Sequence, residues 1–477
     1  MNLGLPHARR AALGAVSALL ALWTLTAHAQ PRPPVTPPPA SSALVPQEAA
    51  AAPSAPSASS QRLFEAVRGS LLQVRVLLKS QSSQRSVGSG FFAGPNRIVT
   101  NYHVVSDYAL EPDRYQLTYQ LADGRTGPLD LLAIDVRHDL AVVALSGDAA
   151  AAARVTGVVL PFRPAALPLA RGEPIYSMGN PLDVGFAVVS GTYNGLVERS
   201  YYPNIFFGGA LSAGMSGGPA VDSSGRVIGI NVATRRDGQQ VSFLVPAAFA
   251  QDLLARSAKA QPLRTSAYPE VTRQLMAHQE ALTQRFLHMP WRTGGDTRYR
   301  IPVPQEEFMR CWGSGSSPES KGLQYQRTDC MMESGLFINE SLTLMPLYMR
   351  HESYDGSQLG ALRFARQYSL SLRNESLYGG RATTPMQCVE RLVDANGLTA
   401  RGVVCLAAYK KLKGLYKATV LVAPNDRARH GFLGRFDMQG FSLSNALALT
   451  DHYLRGFAPV HAAPQPASHA ASAASRP

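Results

Sequence analysis

Three short stretches of the 477-residue chain carry side chains whose types and order suit nucleophilic catalysis. Gly214-Met215-Ser216-Gly217-Gly218-Pro219 sets a serine among glycines. A serine hydroxyl is a weak nucleophile until a base takes its proton and donors hold the oxyanion that its attack creates. Glycines beside it permit tight backbone geometry and close approach of a substrate carbonyl. The amides of Gly214 and Ser216 are the candidate oxyanion donors. In Thr100-Asn101-Tyr102-His103-Val104-Val105, His103 is the candidate general base. In His138-Asp139-Leu140-Ala141-Val142-Val143, Asp139 is placed to accept the imidazole Nδ1 proton and fix its tautomer.

These residues need elements that bring them together. Short β-type runs divided by Gly, Pro, Asn and Asp are predicted at 71–78, 88–92, 97–100, 115–121, 140–145, 175–178, 186–198, 227–232 and 241–245. Many short strands at such spacing indicate an all-β sandwich or barrel. A helix at 61–69 precedes them, and an apolar helix, 246–257, closes the unit. Residues 61–257 thus read as one all-β domain, large enough for two small barrels. His103 and Asp139 fall in its first half and Ser216 in its second.

The order His, Asp, Ser is that of the chymotrypsin-type triad. Residues 61–250 resemble the HtrA/Deg serine endopeptidases, trypsin-like enzymes of the cell envelope and of organelles. The resemblance rests on Val87-Gly88-Ser89-Gly90-Phe91-Phe92, Thr100 to Val105, His138 to Val142, Met178-Gly179-Asn180-Pro181, Gly214 to Pro219, Gly225-Arg226-Val227-Ile228-Gly229-Ile230-Asn231, and Val241-Ser242-Phe243-Leu244-Val245-Pro246. It implies a chymotrypsin-like double β-barrel and acyl transfer, with Ser216 as nucleophile, His103 as base and Asp139 as orienting acid. Two features depart from the family. Met215 stands where the family usually has Asn, and it cannot make the ion pair that activates trypsin zymogens. No PDZ domain is recognisable after the protease, so PDZ-based regulation and trimeric cages are not carried over. Ala210 and Leu211, just before the nucleophile, are expected to wall the S1 pocket. With no carboxylate there, a small or medium aliphatic P1 residue is expected.

Residues 270–458 read as an α+β domain. The expected elements are a helix at 268–287, strands at 336–342, 364–372, 402–409 and 416–423, and a helix at 442–454. The four cysteines, Cys311, Cys330, Cys388 and Cys405, all lie here. An even count in an exported chain reads as disulfides. Of three possible pairings, the sequence-near one (311–330 and 388–405) is expected. No Cys-x-x-Cys occurs, and neither a metal nor a cofactor is expected.

Residues 1–29 carry Arg9-Arg10, an apolar run and Ala27-His28-Ala29, the pattern of a cleaved secretory signal. The mature chain is therefore expected in the periplasm or secreted. Residues 30–60 and 459–477 are rich in Pro, Ala and Ser and read as disordered spacer and tail. The formal net charge is +13. The segment from Lys410 to Lys417 reads as a hairpin tip that could touch an anionic envelope surface. Export argues against nucleic acid as a partner. Polypeptides are the expected substrates. The alternative is a protease-fold chaperone or binding protein of weak or regulated activity.

Overall fold

The computed structural model describes residues 58–147, 158–234 and 241–460, apart from 295, 297, 318 and 426–428. The signal sequence, nearly all of the spacer and all but the start of the tail lie outside the described residues. The first helix, α1 (Ala58–Val67), begins inside the segment assigned to the spacer. Likewise Ala458–Pro459 pairs with Tyr299–Arg300, so chain order continues past the expected domain end.

Six strands close a first antiparallel barrel: β1 (Leu71–Leu78), β2 (Ser83–Gly94), β3 (Arg97–Thr100), β4 (Tyr115–Leu121), β5 (Thr126–Asp135) and β6 (Leu140–Leu145). The second barrel comprises β7 (Pro174–Gly179), β8 (Ala187–Leu196), β9 (Ile205–Phe207), β10 (Pro219–Val221), β11 (Val227–Thr234) and β12 (Ser242–Pro246). This is the chymotrypsin-like architecture. Alternation decides which face of a strand enters a core. In β4, Tyr115, Leu117, Tyr119 and Leu121 point inward while the residues between are half-exposed. Phe91, Val99, Val142, Met178, Val221 and Ile230 fill a cluster between the barrels. Helix α2 (Tyr102–Leu110) follows β3, and α3 (Ala247–Arg256) follows β12.

The C-terminal part is built on a seven-stranded antiparallel sheet. Its strand order is Met309–Gly315, Gln324–Met332, Leu347–Asp355, His430–Phe441, Tyr416–Pro424, Leu398–Ala408 and Gln387–Ala395. Helices α4 (Tyr268–Leu287) and α6 (Leu443–Arg455) pack on one face, through Leu282, Phe286, Leu449 and Tyr453 against Phe432 and Phe436. Cys311–Cys330 and Cys388–Cys405 are bonded. Each joins an edge strand to its neighbour at directly opposed positions.

The run expected as a strand at 364–372 is instead α5 (Ala361–Arg373). Phe364, Tyr368 and Leu372 recur every fourth residue and share one side of a helix. They pack on the other face of the sheet, with Tyr354 and Leu433. Leu370 is left exposed, which an apolar strand face would not do. The expected strand 336–342 is a small hairpin, Leu336–Asn339 paired with Leu342–Leu344.

The two parts share a core. Leu336, Ile338 and Leu344 of the hairpin join the cluster that fills the first barrel. So do Val271 and Leu275 of α4, and Leu412 and Leu415 of the 409–415 loop.

Candidate functional site

His103 is the second residue of α2, where a helix leaves backbone donors without partners. Asp139 supplies those partners. Its carbonyl accepts from Tyr102 N at 3.2 Å, and its Oδ1 accepts from His103 N at 2.8 Å. Its Oδ2 lies 2.6 Å from His103 Nδ1. Asp139 reaches all three from a left-handed backbone with φ 54°, a region Asp tolerates better than most residues. Asn101 Nδ2 donates to the Asp139 carbonyl at 2.8 Å and pins the same turn. The His103 and Asp139 side chains are 28% and 20% exposed. Burial works against the imidazolium of His103. The Asp139 charge and hydrogen bond outweigh it and hold the His103 pKa above its ordinary value.

Ser216 lies on the turn between β9 and β10. Gly214 and Gly217 have φ of 90° and 85°, conformations that side-chain-bearing residues rarely adopt. A Cβ on Gly217 would collide with Ser89 O and Thr100 Oγ1. The turn therefore presses against the residues that precede His103. Asn231 fixes it from inside. Its Nδ2 donates to Met178 O at 2.9 Å and Met215 O at 3.1 Å, and its carbonyl accepts from Gly217 N at 2.9 Å. Ser89 fixes it from the first barrel: Oγ donates to Gly214 O at 2.8 Å, and Ser89 N donates to Ser216 O at 2.7 Å.

Ser216 Oγ donates to the Val232 carbonyl at 3.2 Å. That carbonyl is available because β11 slips register against β12 between Asn231 and Ala233, leaving Val232 unpaired as a bulge does. Among the described residues Ser216 makes no hydrogen bond to His103. Neither the Gly214 amide nor the Ser216 amide donates to another described residue.

Met215 is buried with Ile175, Phe207, Leu211 and Leu244 in the second-barrel interior. It anchors the turn by apolar packing. Leu211 is in the same cluster, with its amide donating to Ser242 Oγ at 3.1 Å, whereas Ala210 is exposed. Among the described residues no group of three or more His, Cys, Asp or Glu could hold a metal. The lysines of 410–417 are largely engaged within the protein. Lys410 Nζ donates to Arg381 O, Lys411 pairs with Glu111 at 3.3 Å, and Lys417 Nζ donates to Tyr378 O.

Several residues near the site carry no sequence signal of their roles. Ser89 acts through its hydroxyl and backbone amide, Asn231 through its buried side-chain amide and carbonyl, and Val232 through its carbonyl. Phe337, from the C-terminal hairpin, stands edge-on to the His103 ring with centroids 6.0 Å apart. His138 stacks on Phe249 at 3.8 Å and meets Tyr202, whose hydroxyl is 2.7 Å from His278 Nδ1 on α4.

Comparison with known proteins agrees with this architecture. Residues 88–230 match the trypsin-like peptidase domain. Human serine protease HTRA3 is 29% identical over 192 residues, covering 39% of this chain and 42% of the relative. A probable periplasmic serine endoprotease DegP-like of Pseudomonas savastanoi pv. phaseolicola is 30% identical over 181 residues, covering 36% of this chain and 35% of the relative. The chain thus matches less than half the length of these curated relatives. Among solved structures, the serine endoprotease from Yersinia pestis aligns with a TM-score of 0.35 at 21% identity, over 42% of this chain and 66% of that one. Residues 88–230 are thus similar to the trypsin-like peptidase domain, and this region of the chain to the HtrA and DegP-like serine proteases.

Proposed function

We propose that the protein is an exported serine endopeptidase that cleaves polypeptides through an acyl-enzyme. The observation that carries this reading is the double engagement of His103 by Asp139, through Nδ1 and the backbone amide. It holds the imidazole in one orientation and, with the proton kept on Nδ1, leaves the Nε2 lone pair to act as a general base. Ser216 then exchanges the Val232 carbonyl for His103 Nε2. His103 takes its proton as Oγ attacks the scissile carbonyl. The amides of Gly214 and Ser216 receive the oxyanion. His103 passes the proton to the leaving amine, and a water activated by the same imidazole releases the acyl group. A small or medium aliphatic residue at P1 is the preference proposed, with Ala210 and Leu211 on the segment that leads to the nucleophile.

Residues 1–29 supply the export step in this reading, and the periplasmic relatives agree with it. Among the described residues no helix is long and apolar enough to cross a membrane. The substrates are proposed to be exposed or misfolded envelope proteins.

The Ser216–Val232 hydrogen bond favours a second reading, a regulated protease or chaperone whose nucleophile rests away from its base. A fluorophosphonate probe separates the two. Active-site labelling of the purified full chain, abolished in Ser216→Ala, supports the peptidase. A folded wild type that never labels, with or without unfolded protein present, sinks it.

A further inference from the structure

A bound substrate must place one carbonyl carbon at Ser216 Oγ, within reach of His103. The residues on either side of that bond then lie against whatever surrounds the two side chains. A cavity of about 520 Å³ is lined by Asp139 and Val232, the residues that hold His103 and Ser216, while His103, Ser216 and Phe337 themselves lie outside its wall. Only part of its wall belongs to the barrels. Glu333, Leu336 and Met345 of the C-terminal domain complete it.

The hairpin of residues 336–344 is fixed in this place. Tyr102, next to His103, donates its hydroxyl to Ile338 O at 2.9 Å. Arg85 bridges Asp107 of α2 and Glu340 of the hairpin. Leu336, Ile338 and Leu344 are buried in the first-barrel cluster. Alternation leaves the residue between Leu336 and Ile338 less buried than either. That residue is Phe337, half-buried, with its ring 6.0 Å from His103 and 6.3 Å from Tyr102. Phe337 packs in part against the same first-barrel cluster, and its half-buried ring keeps an edge-on contact with the general base.

We propose that this hairpin is part of the substrate cleft, with Phe337 the wall of a subsite for a large apolar side chain adjacent to the scissile residue. The proposal rests on the peptidase reading. The C-terminal domain then supplies substrate preference directly and is more than an appended module. The ligand is an extended polypeptide, and the selected feature is an aliphatic or aromatic residue neighbouring the cleaved bond.

The test is cleavage profiling with a peptide library randomised at the residues flanking the scissile bond, using the full chain, Phe337→Ala and Phe337→Leu. The wild type is expected to favour large apolar residues at one flanking position by about tenfold, the scale on which apolar pockets discriminate. Phe337→Ala should flatten the preference at that position alone, and Phe337→Leu should fall between. Profiles that superimpose on the wild type, or a uniform loss over all peptides, overturn the proposal. A thermal melt of each variant shows whether Phe337→Ala folds; if it does not, Phe337→Leu carries the comparison. A wild type that neither cleaves nor labels overturns the peptidase reading and this inference together. A labelled wild type with an unchanged Phe337→Leu and Phe337→Ala profile overturns this inference alone.

Discussion

Asp139→Asn tests the site most sharply, because the structure gives this carboxylate two separable jobs. Oδ1 accepts from the His103 amide and so caps α2, while Oδ2 faces His103 Nδ1. An asparagine oxygen still accepts from the amide. Its NH2 then faces Nδ1, which forces the imidazole proton onto Nε2 and leaves no lone pair for Ser216. The expected loss in kcat is about 10⁴-fold, roughly 5.5 kcal/mol, with KM nearly unchanged. Stability should hardly move, because the cap survives. Asp139→Ala removes both roles, and the lost cap alone should cost about 1 kcal/mol of stability. The pH profile adds a third readout. His103 acts only when neutral, and Asp139 holds its pKa up against burial. The acid limb of wild-type kcat/KM should therefore lie above the ordinary imidazole value of about 6.5. In Asp139→Asn the residual activity should lose its acid limb at lower pH, since only burial remains. Stopped-assay kinetics on a peptide ester, with chemical denaturation of each variant, measure all three. A loss in Asp139→Asn below about tenfold, or equal stability of the Ala and Asn variants, would refute the reasoning.

His278 is buried on α4, and burial, Arg137 and His138 pull its pKa down to about 4. The unfolded chain, near 6.5, takes up that proton first, so stability is retained at neutral pH and lost as pH falls from about 6.5 toward 4. The loss from this group is about 2 kcal/mol at pH 5. His278→Gln keeps a polar partner for Tyr202 and should flatten the decline in melting temperature between pH 7 and 5; an unchanged decline contradicts the assignment. The Cys388–Cys405 bond closes a loop over a sequence separation of 17 and ties the edge strand Gln387–Ala395 to its neighbour. Replacing both cysteines with serine should cost about 3 kcal/mol. Amide exchange should rise first in that strand, and uniform exchange across the sheet would count against the edge argument.

Legibility followed the range of the interactions. Strands Leu71–Leu78, Arg97–Thr100, Tyr115–Leu121 and Leu140–Leu145 carry their own alternation or apolar runs, and their bounds could be read locally. The strand Thr126–Asp135 could not, since Gly127, Pro128 and Asp130 interrupt its pattern and pairing with β4 and β6 supplies what propensity lacks. The disulfide pairs were also legible, because each joins neighbouring strands of one hairpin. The α5 run misled because Phe, Tyr and Leu suit strands as well as helices, and only the four-residue recurrence of Phe364, Tyr368 and Leu372 separates the cases. At the candidate site, residue types and order pointed to chemistry, but the second layer was hidden. Val232 matters through a carbonyl freed by a bulge, and bulges follow from pairing. Phe337 reaches His103 through a hairpin whose anchor, Tyr102 to Ile338, joins positions 236 apart.

That anchor also changes how the C-terminal part must be studied. Deleting residues 270–477 would be a natural way to ask whether they only target the protease. The shared core makes the deletion uninformative about targeting. Val271, Leu275, Leu336, Ile338, Leu344, Leu412 and Leu415 would leave the first-barrel cluster together. At about 1.5–3 kcal/mol for each buried aliphatic side chain, the loss is on the order of 10 kcal/mol, comparable to the whole stability of a typical domain. The truncated chain is therefore expected to aggregate or melt at least 20 °C below the full protein, a shift scaled from about 2–4 °C per kcal/mol. Calorimetry on the two chains decides it. A truncated chain that melts within a few degrees of the full protein would show that the shared cluster contributes little and that the two parts are separable modules.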